Sequence, residues 1–294
     1  MKRFFVCAAI AAAALCLCAC KAIEYGFYQL LDHGPAVDDR VGELIDLTGG
    51  DVPAVSGGSY AFLVISDVHF GKTDEERHDQ EFLNTLQALK ASLSPSPSFC
   101  ICLGDIADHG KKSEMEDYKR VLVEPIEQML GGKVYSVVGN HDVYLYGWND
   151  FKETIWPHTS FYRFRLGNFS YYFLDAGSAS LGTVQFNRLK AAMEADGSPN
   201  KIVSLHSPVY GGSDMRGGYY ALQEESESTQ LFTLFKDNEV RLILAGHVHR
   251  PAGTQLTPTM QEYILPTFVG DRQFAIVTVD DTAGTTTPQL FDYP

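Results

Sequence analysis

Five short apolar runs, at residues 61–65, 99–103, 134–138, 202–205 and 242–245, each end on polar residues drawn from aspartate, asparagine and histidine. Those residues are Asp67-Val68-His69, Gly104-Asp105, Gly139-Asn140-His141-Asp142, His206 and Gly246-His247-Val248-His249. Runs of this length, rich in Ile, Val, Leu and Phe and bounded by polar or glycine-containing segments, read as strands buried on both faces. The chain is thereby held to a fold that gathers several strand ends in one place.

Helical patterns separate several of these strands. Phe82, Leu86, Leu89 and Leu93 recur at helical spacing until Pro95 and Pro97 forbid continuation. Ser113 and Glu116 have the spacing of a capping box for the next helix, whose apolar stripe is Tyr118, Leu122, Ile126 and Met129. Pro125 is expected to kink that helix, and Gly131-Gly132 to end it. Alternation of strand and helix implies right-handed crossovers and parallel strands, and such sheets bind ligands beyond the carboxyl ends of their strands. Residues 161–166 and 169–175 flank Gly167-Asn168 and read as a hairpin. Residues 261–269 and 273–280, on either side of Gly270-Asp271-Arg272, read as a second antiparallel pair.

Each polar cluster alone has an ordinary explanation. Asp67 and Asp105 could cap helices or turns, Asn140 could be a left-handed turn residue, and His206 could be a core histidine with one hydrogen bond. The series resists that explanation, because caps have no reason to recur at each strand end in metal-ligand residue types. Its carboxylate, amide and imidazole groups suffice to hold two metal ions side by side. Lacking thiolate, they suit manganese, iron or zinc.

In this order the motifs resemble the calcineurin-like metallophosphoesterase superfamily. Its pattern is Asp-x-His, Gly-Asp-x-x-Asp (ending here at Asp108), Gly-Asn-His-Asp/Glu, a separate His, and Gly-His-x-His. Residues 104–110 and the helix after them look closest to the branch of class III cyclic-nucleotide phosphodiesterases and glycerophosphodiesterases. The resemblance implies an α/β fold of two mixed β-sheets packed face to face with helices outside, a four-layer sandwich. It further implies one metal on Asp67, His69, Asp105 and His249 and another on Asp105, Asn140, His206 and His247, with Asp105 bridging. Phosphate-ester hydrolysis by a metal-bridging hydroxide follows, with His141 facing the substrate to stabilise a phosphoryl oxygen or protonate the leaving alkoxide. Asp142 is then the expected partner that fixes the His141 tautomer.

Substrate discrimination has to come from other residues. Residues 207–226 carry Gly211, Gly212, Gly217 and Gly218 with Tyr210, Arg216, Tyr219 and Tyr220, directly after His206. They form either a loop able to close over the site or a plain connector. Trp148, Phe151 and Trp156 offer a second wall but read more readily as local core. A small phosphodiester is the expected substrate, and a phosphomonoester the enzymatic alternative. A net charge of -14 repels polyanions and argues against long nucleic acid as a partner. The reading from another class is a catalytically silent metal- or phosphate-binding lipoprotein. Loss of a ligand would favour it, and none is missing.

The lipoprotein expectation comes from the amino terminus. Lys2 and Arg3 precede an apolar stretch at residues 4–19, short of the roughly 17–25 residues of a comfortable membrane span. Leu17-Cys18-Ala19-Cys20 resembles a bacterial lipobox. Residues 1–19 are then a signal peptide and Cys20 the lipid-bearing first residue of an exported, membrane-anchored protein of the cell envelope. The alternatives are an uncleaved anchor, or a plain cleaved signal peptide and a secreted or periplasmic protein. Residues 20–58, with helical patterns around Tyr25, Tyr28 and Leu31 and around Val41, Leu44 and Ile45, read as a tether free to dock on a catalytic domain at 59–294. Within that domain only Cys100 and Cys102 remain of six cysteines. Two apart in a strand, they face one side at a separation too large for an undistorted bridge.

Overall fold

The computed structural model describes residues 36–50, 52–53, 58–73, 77–211 and 221–294. Its strands are β1 (Ile45–Asp46), β2 (Ser59–Ile65), β3 (Pro97–Cys102), β4 (Val134–Ser136), β5 (Tyr162–Leu166), β6 (Phe169–Phe173), β7 (Asn200–Ser204), β8 (Val240–Ala245), β9 (Ala252–Gln255), β10 (Gln261–Ile264), β11 (Gln273–Asp280) and β12 (Thr285–Asp292). The α-helices are α1 (Val37–Arg40), α2 (Asp79–Ser92), α3 (Lys112–Tyr118), α4 (Glu124–Leu130), α5 (Gly147–Thr154), α6 (Gly182–Glu194), α7 (Glu225–Asp237) and α8 (Phe268–Asp271). One sheet has seven strands in the order β1-β5-β6-β7-β8-β10-β9, the other five in the order β12-β11-β2-β3-β4. Both are mixed: β2, β3 and β4 run parallel, as do β6, β7, β8 and β10, while β11 is antiparallel to β2 and β5 to β6.

Side-chain alternation explains the layering. Along β2, Ala61, Leu63 and Ile65 pack among Phe82 and Leu86 of α2, Tyr118 of α3 and Ile126 of α4. Tyr60, Phe62 and Val64 point the other way, toward Phe164 and Tyr171 of the seven-stranded sheet. Leu189 and Met193 of α6 and Leu231, Leu234 and Phe235 of α7 cover that sheet's far face. The result is the expected four-layer sandwich. Removing a buried aromatic from the central layer, such as Phe62 stacked on Phe99 at 5.0 Å, would cost about 3–5 kcal/mol. Cys100 and Cys102 are buried free thiols on the helix-facing side of β3, as their spacing implies.

Two local expectations here need correction, the capping residue and the second antiparallel pair, and the Pro125 interruption takes a particular form. The capping-box residue is Glu114, whose carboxylate accepts the Lys111 N–H at 3.3 Å and the His109 N–H at 2.8 Å, so the helix starts before Ser113 and Glu116 can cap it. Ahead of Pro125 the chain widens into a π-helical turn at Lys119–Val123. Proline lacks an N–H and its ring would strike the carbonyl four residues back, so the wider turn lets the helix continue into α4. Residues 261–269 and 273–280 do not pair with each other: β10 lies beside β8 and β9 in one sheet, β11 between β2 and β12 in the other. The apparent turn is the end of α8, where the Thr267 hydroxyl accepts the Gly270 N–H and the Asp271 carboxylate the Thr267 N–H. That turn carries the chain from one sheet to the other.

The described residues 36–46 ahead of β2 join the packed body. Val37, Arg40 and Val41 are buried, and Ile45 and Asp46 pair in parallel with Tyr162 and Arg163. The helical pattern expected around Val41, Leu44 and Ile45 is not formed: the helix ends at Arg40 and Ile45 is in a strand, drawn there by the open edge of β5. Residues 1–35, with Cys20, Tyr25, Tyr28 and Leu31, lie outside the described residues. Among the described residues no helix is long and apolar enough to cross a membrane.

Candidate metal centre

The seven expected ligands sit in loops that leave β2, β3, β4, β7 and β8 at their carboxyl ends. Asp67, His69, Asp105, His247 and His249 all have positive φ, between 42° and 68°. Non-glycine residues avoid this region, at a cost of order 1–3 kcal/mol each, and such strain concentrates at functional sites. The turns also need room. A Cβ on Gly139 would lie 2.1 Å from the Asp105 backbone nitrogen, so only glycine lets the β4 loop close on the β3 loop.

The side chains converge in two groups that share Asp105: Asp67, His69, Asp105 and His249, and Asp105, His206 and His247. The ligand atoms in each group lie within 4.8 Å of one another. In the first group His249 Nε2 stands 3.1 Å from Asp67 Oδ1 and 3.4 Å from His69 Nε2. In the second, His206 Nε2 stands 3.0 Å from Asn140 Oδ1 and 3.4 Å from Asp105 Oδ2. His206 Nδ1 is 2.7 Å from the Leu103 carbonyl, which can only accept, so Nδ1 carries a proton and Nε2 is the nitrogen turned to the cluster. That nitrogen faces the oxygens of Asn140 and Asp105. A metal ion could take the place of the proton on Nε2, and the seven residues fit two metal ions by number and kind.

Electrostatics agree. Burial would lower the His206 pKa, but the adjacent Asp105 carboxylate and the Asp67 charge push it up to about 9. Burial likewise works against ionised Asp105, yet the neighbouring imidazoles hold its carboxyl well below the usual range. The pocket is built to favour positive charge. Burial and the charge of His206 pull His247 down to about 4, so it offers a neutral imidazole.

His141 lies beside this cluster. Its backbone N–H donates to Asp105 Oδ1 at 2.9 Å, and its Nε2 is 4.0 Å from Asp105 Oδ2. Burial depresses its pKa, but Asp105 and the Asp108 carbonyl more than offset this and raise it. Asp142 does not fix its tautomer, as the sequence suggested. The Asp142 carboxylate is turned away and accepts the backbone N–H groups of Ala107 at 2.9 Å and Gly139 at 2.8 Å, tying the β3 loop to the β4 loop. The carbonyl of Asp108 takes the His141 Nδ1–H instead. Asp108 Oδ1 also lies 3.1 Å from His69 Nδ1, off the line of a linear hydrogen bond.

Of the expected substrate residues, Tyr210 is half-exposed and its N–H donates to Glu262 at 3.1 Å. Arg216, Tyr219 and Tyr220 lie outside the described residues. Trp148 and Phe151 are buried among α3 and α5 side chains, and Trp156 packs on Tyr135, so this group is local core. Two residues escaped sequence reasoning. Arg77 stacks on the Phe70 ring at 3.5 Å and donates to the carbonyls of Val68 and His69, clamping the first ligand loop. Buried Glu262 accepts the N–H groups of Val209, Tyr210 and Gly211 and pins the start of the loop after His206. Neither stands near a recognisable motif in the sequence.

The sequence profile described as calcineurin-like phosphoesterase matches residues 60–251, and the chain belongs to that family. It is a hydrolase of phosphate esters, in a family that depends on two metal ions. No curated protein matches the sequence. Among solved structures, GAP50, the anchor in the inner membrane complex of Plasmodium, has a TM-score of 0.55 at 15% identity, covering 81% of this chain and 90% of its own. A purple acid phosphatase from yellow lupin (Lupinus luteus) seeds gives 0.57 at 12% identity, covering 83% of this chain and 55% of its own. A dimetal phosphatase from Danio rerio gives 0.53 at 12% identity, covering 80% and 99%. At such identities these likenesses establish the fold alone.

Proposed function

We propose that this protein hydrolyses a small phosphodiester with two metal ions, held by Asp67, His69, Asp105 and His249 and by Asp105, Asn140, His206 and His247. The observation that carries the reading is the convergence of both ligand groups on buried Asp105, with His206 Nε2 within 3.4 Å of its carboxylate and 3.0 Å of Asn140 Oδ1. Manganese, iron or zinc suits these donors. Two such ions activate water and neutralise phosphoryl charge.

The chain supplies the remaining chemistry. Asp105 sits between both groups and is held in orientation by the His141 N–H. With Nδ1 committed to Asp108, His141 has only Nε2 free for the substrate, where it donates to a phosphoryl oxygen or gives a proton to the departing alkoxide. A diester carries one negative charge where a monoester carries two, so less of it is left for groups other than the two ions and His141 to offset. Residues 207–226, through Tyr210, Arg216, Tyr219 and Tyr220, are the proposed source of selectivity, and lipid on Cys20 the proposed link to the membrane.

The test is manganese-reconstituted protein assayed against bis(p-nitrophenyl) phosphate and p-nitrophenyl phosphate. Faster hydrolysis of the diester supports the reading. Preference for the monoester replaces it with a phosphomonoesterase. Two bound ions without hydrolysis of either would leave a silent metal-binding module.

A further inference from the structure

We propose that Arg40, in the segment ahead of the catalytic strands, is a positioning residue for the Asn140 and His206 half of the metal centre. The inference rests on the two-metal reading above. Arg40 is fully buried at its side chain and grips Asp175, with Nε 3.1 Å from Oδ2 and Nη2 2.8 Å from Oδ1. Both terminal nitrogens also donate to the Ser178 hydroxyl at 3.1 Å. The guanidinium therefore fixes both ends of the 175–178 loop, which follows β6.

That loop lies against two ligand-bearing loops. The Ala176 carbonyl accepts the Ser207 hydroxyl at 3.0 Å, one residue beyond His206. On its other side Gly177 rests on the backbone just before Asn140: a Cβ there would come within 2.8 Å of the Gly139 carbonyl oxygen. Across the loop, Asn140 Oδ1 and His206 Nε2 meet at 3.0 Å. A shift of the 175–178 loop would thus move both donors together, while among the described residues no hydrogen bond ties it to the loops of Asp67, His69 and His249. A buried ion pair stabilises a fold little better than apolar residues of the same volume, so a doubly bonded arginine here is better explained by the geometry it enforces. In this arrangement α1, which ends at Arg40, stands as a wedge behind the Asn140 and His206 half of the site.

The test is calorimetric titration of the full chain with manganese. Wild type should take up two ions; one or none would overturn the two-metal reading itself, before Arg40 is in question. Arg40→Lys keeps the charge and loses the fork, and Ser178→Ala removes only the hydroxyl contact. Each should weaken one ion about 10-fold, as outer-shell changes do, and leave the other at wild-type affinity. A merely structural role would lower the melting temperature of metal-free protein with both affinities unchanged, or weaken both alike. Either result overturns the inference, as does failure of Arg40→Lys to fold.

Discussion

His141 gives its Nδ1–H to the backbone carbonyl of Asp108 at 2.7 Å, and that one bond decides which imidazole nitrogen meets the substrate. His141→Ala should lower turnover on an ester with a poor leaving group by ~10²–10⁴-fold, the usual range for proton-transfer assistance. An activated aryl ester should lose less, with metal content unchanged in both cases. Equal losses on the two substrates would assign His141 to phosphate binding.

Asp105 is common to both ligand groups, whereas Asn140 touches only the second. Elemental analysis of Asp105→Ala should therefore find both ions lost, and of Asn140→Ala mainly one. Chelator should abolish activity in wild type and added manganese restore it. Undiminished hydrolysis after exhaustive chelation would sink the metal mechanism.

Asp142 holds two buried backbone N–H groups and stays clear of the His141 ring. Replacing it by alanine strands both donors at roughly 1–3 kcal/mol each, so a drop in melting temperature is the first effect expected. Asp142→Asn, able to accept only one of the two, should be intermediate. A change in the pH profile of turnover with unaltered stability would return Asp142 to its sequence-based role.

Asp196 makes a separate acid-stability prediction. Burial would raise its pKa, but the hydroxyls of Ser170 and Tyr172, the Ser198 N–H and Lys201 outweigh this and bring it to about 2. Arg165 adds an ion pair at 3.0 Å. A carboxyl depressed on folding stabilises above its unfolded pKa of about 3.9, and that contribution is lost as pH falls toward 2. Asp196→Asn should thus destabilise by ~1–3 kcal/mol near neutrality, with the gap closing as pH falls through about 2, as read by urea titration. A difference independent of pH would refute this.

The parts legible in the sequence were those with a local signature. Strands buried on both faces announce themselves as apolar runs, and the ligand residues sit at their ends, so the centre could be assembled before the fold was known. The β5–β6 hairpin was equally plain from Gly167-Asn168. What stayed hidden depends on distant partners. Gly270-Asp271-Arg272 has the residues of a hairpin turn, and nothing within residues 261–280 says that the flanking strands join different sheets. Asp142 adjoins His141 in sequence, yet its carboxylate turns to Ala107 thirty-five positions away. Arg77 and Glu262 act on backbone groups, which leave no pattern of side chains to read.

Asp67, His69, Asp105 and Asn140 hang from the five-stranded sheet, His206, His247 and His249 from the seven-stranded one. Ions bound among them would rivet the two sheets at one rim. Neither sheet alone offers a complete set of donors, so a chain with the sheets undocked has little hold on metal. Metal uptake then becomes a certificate of finished folding, and free metal at about 100 times Kd would add about 2.7 kcal/mol to the closed sandwich. Starvation for metal should loosen the seam between the sheets before it disturbs either sheet.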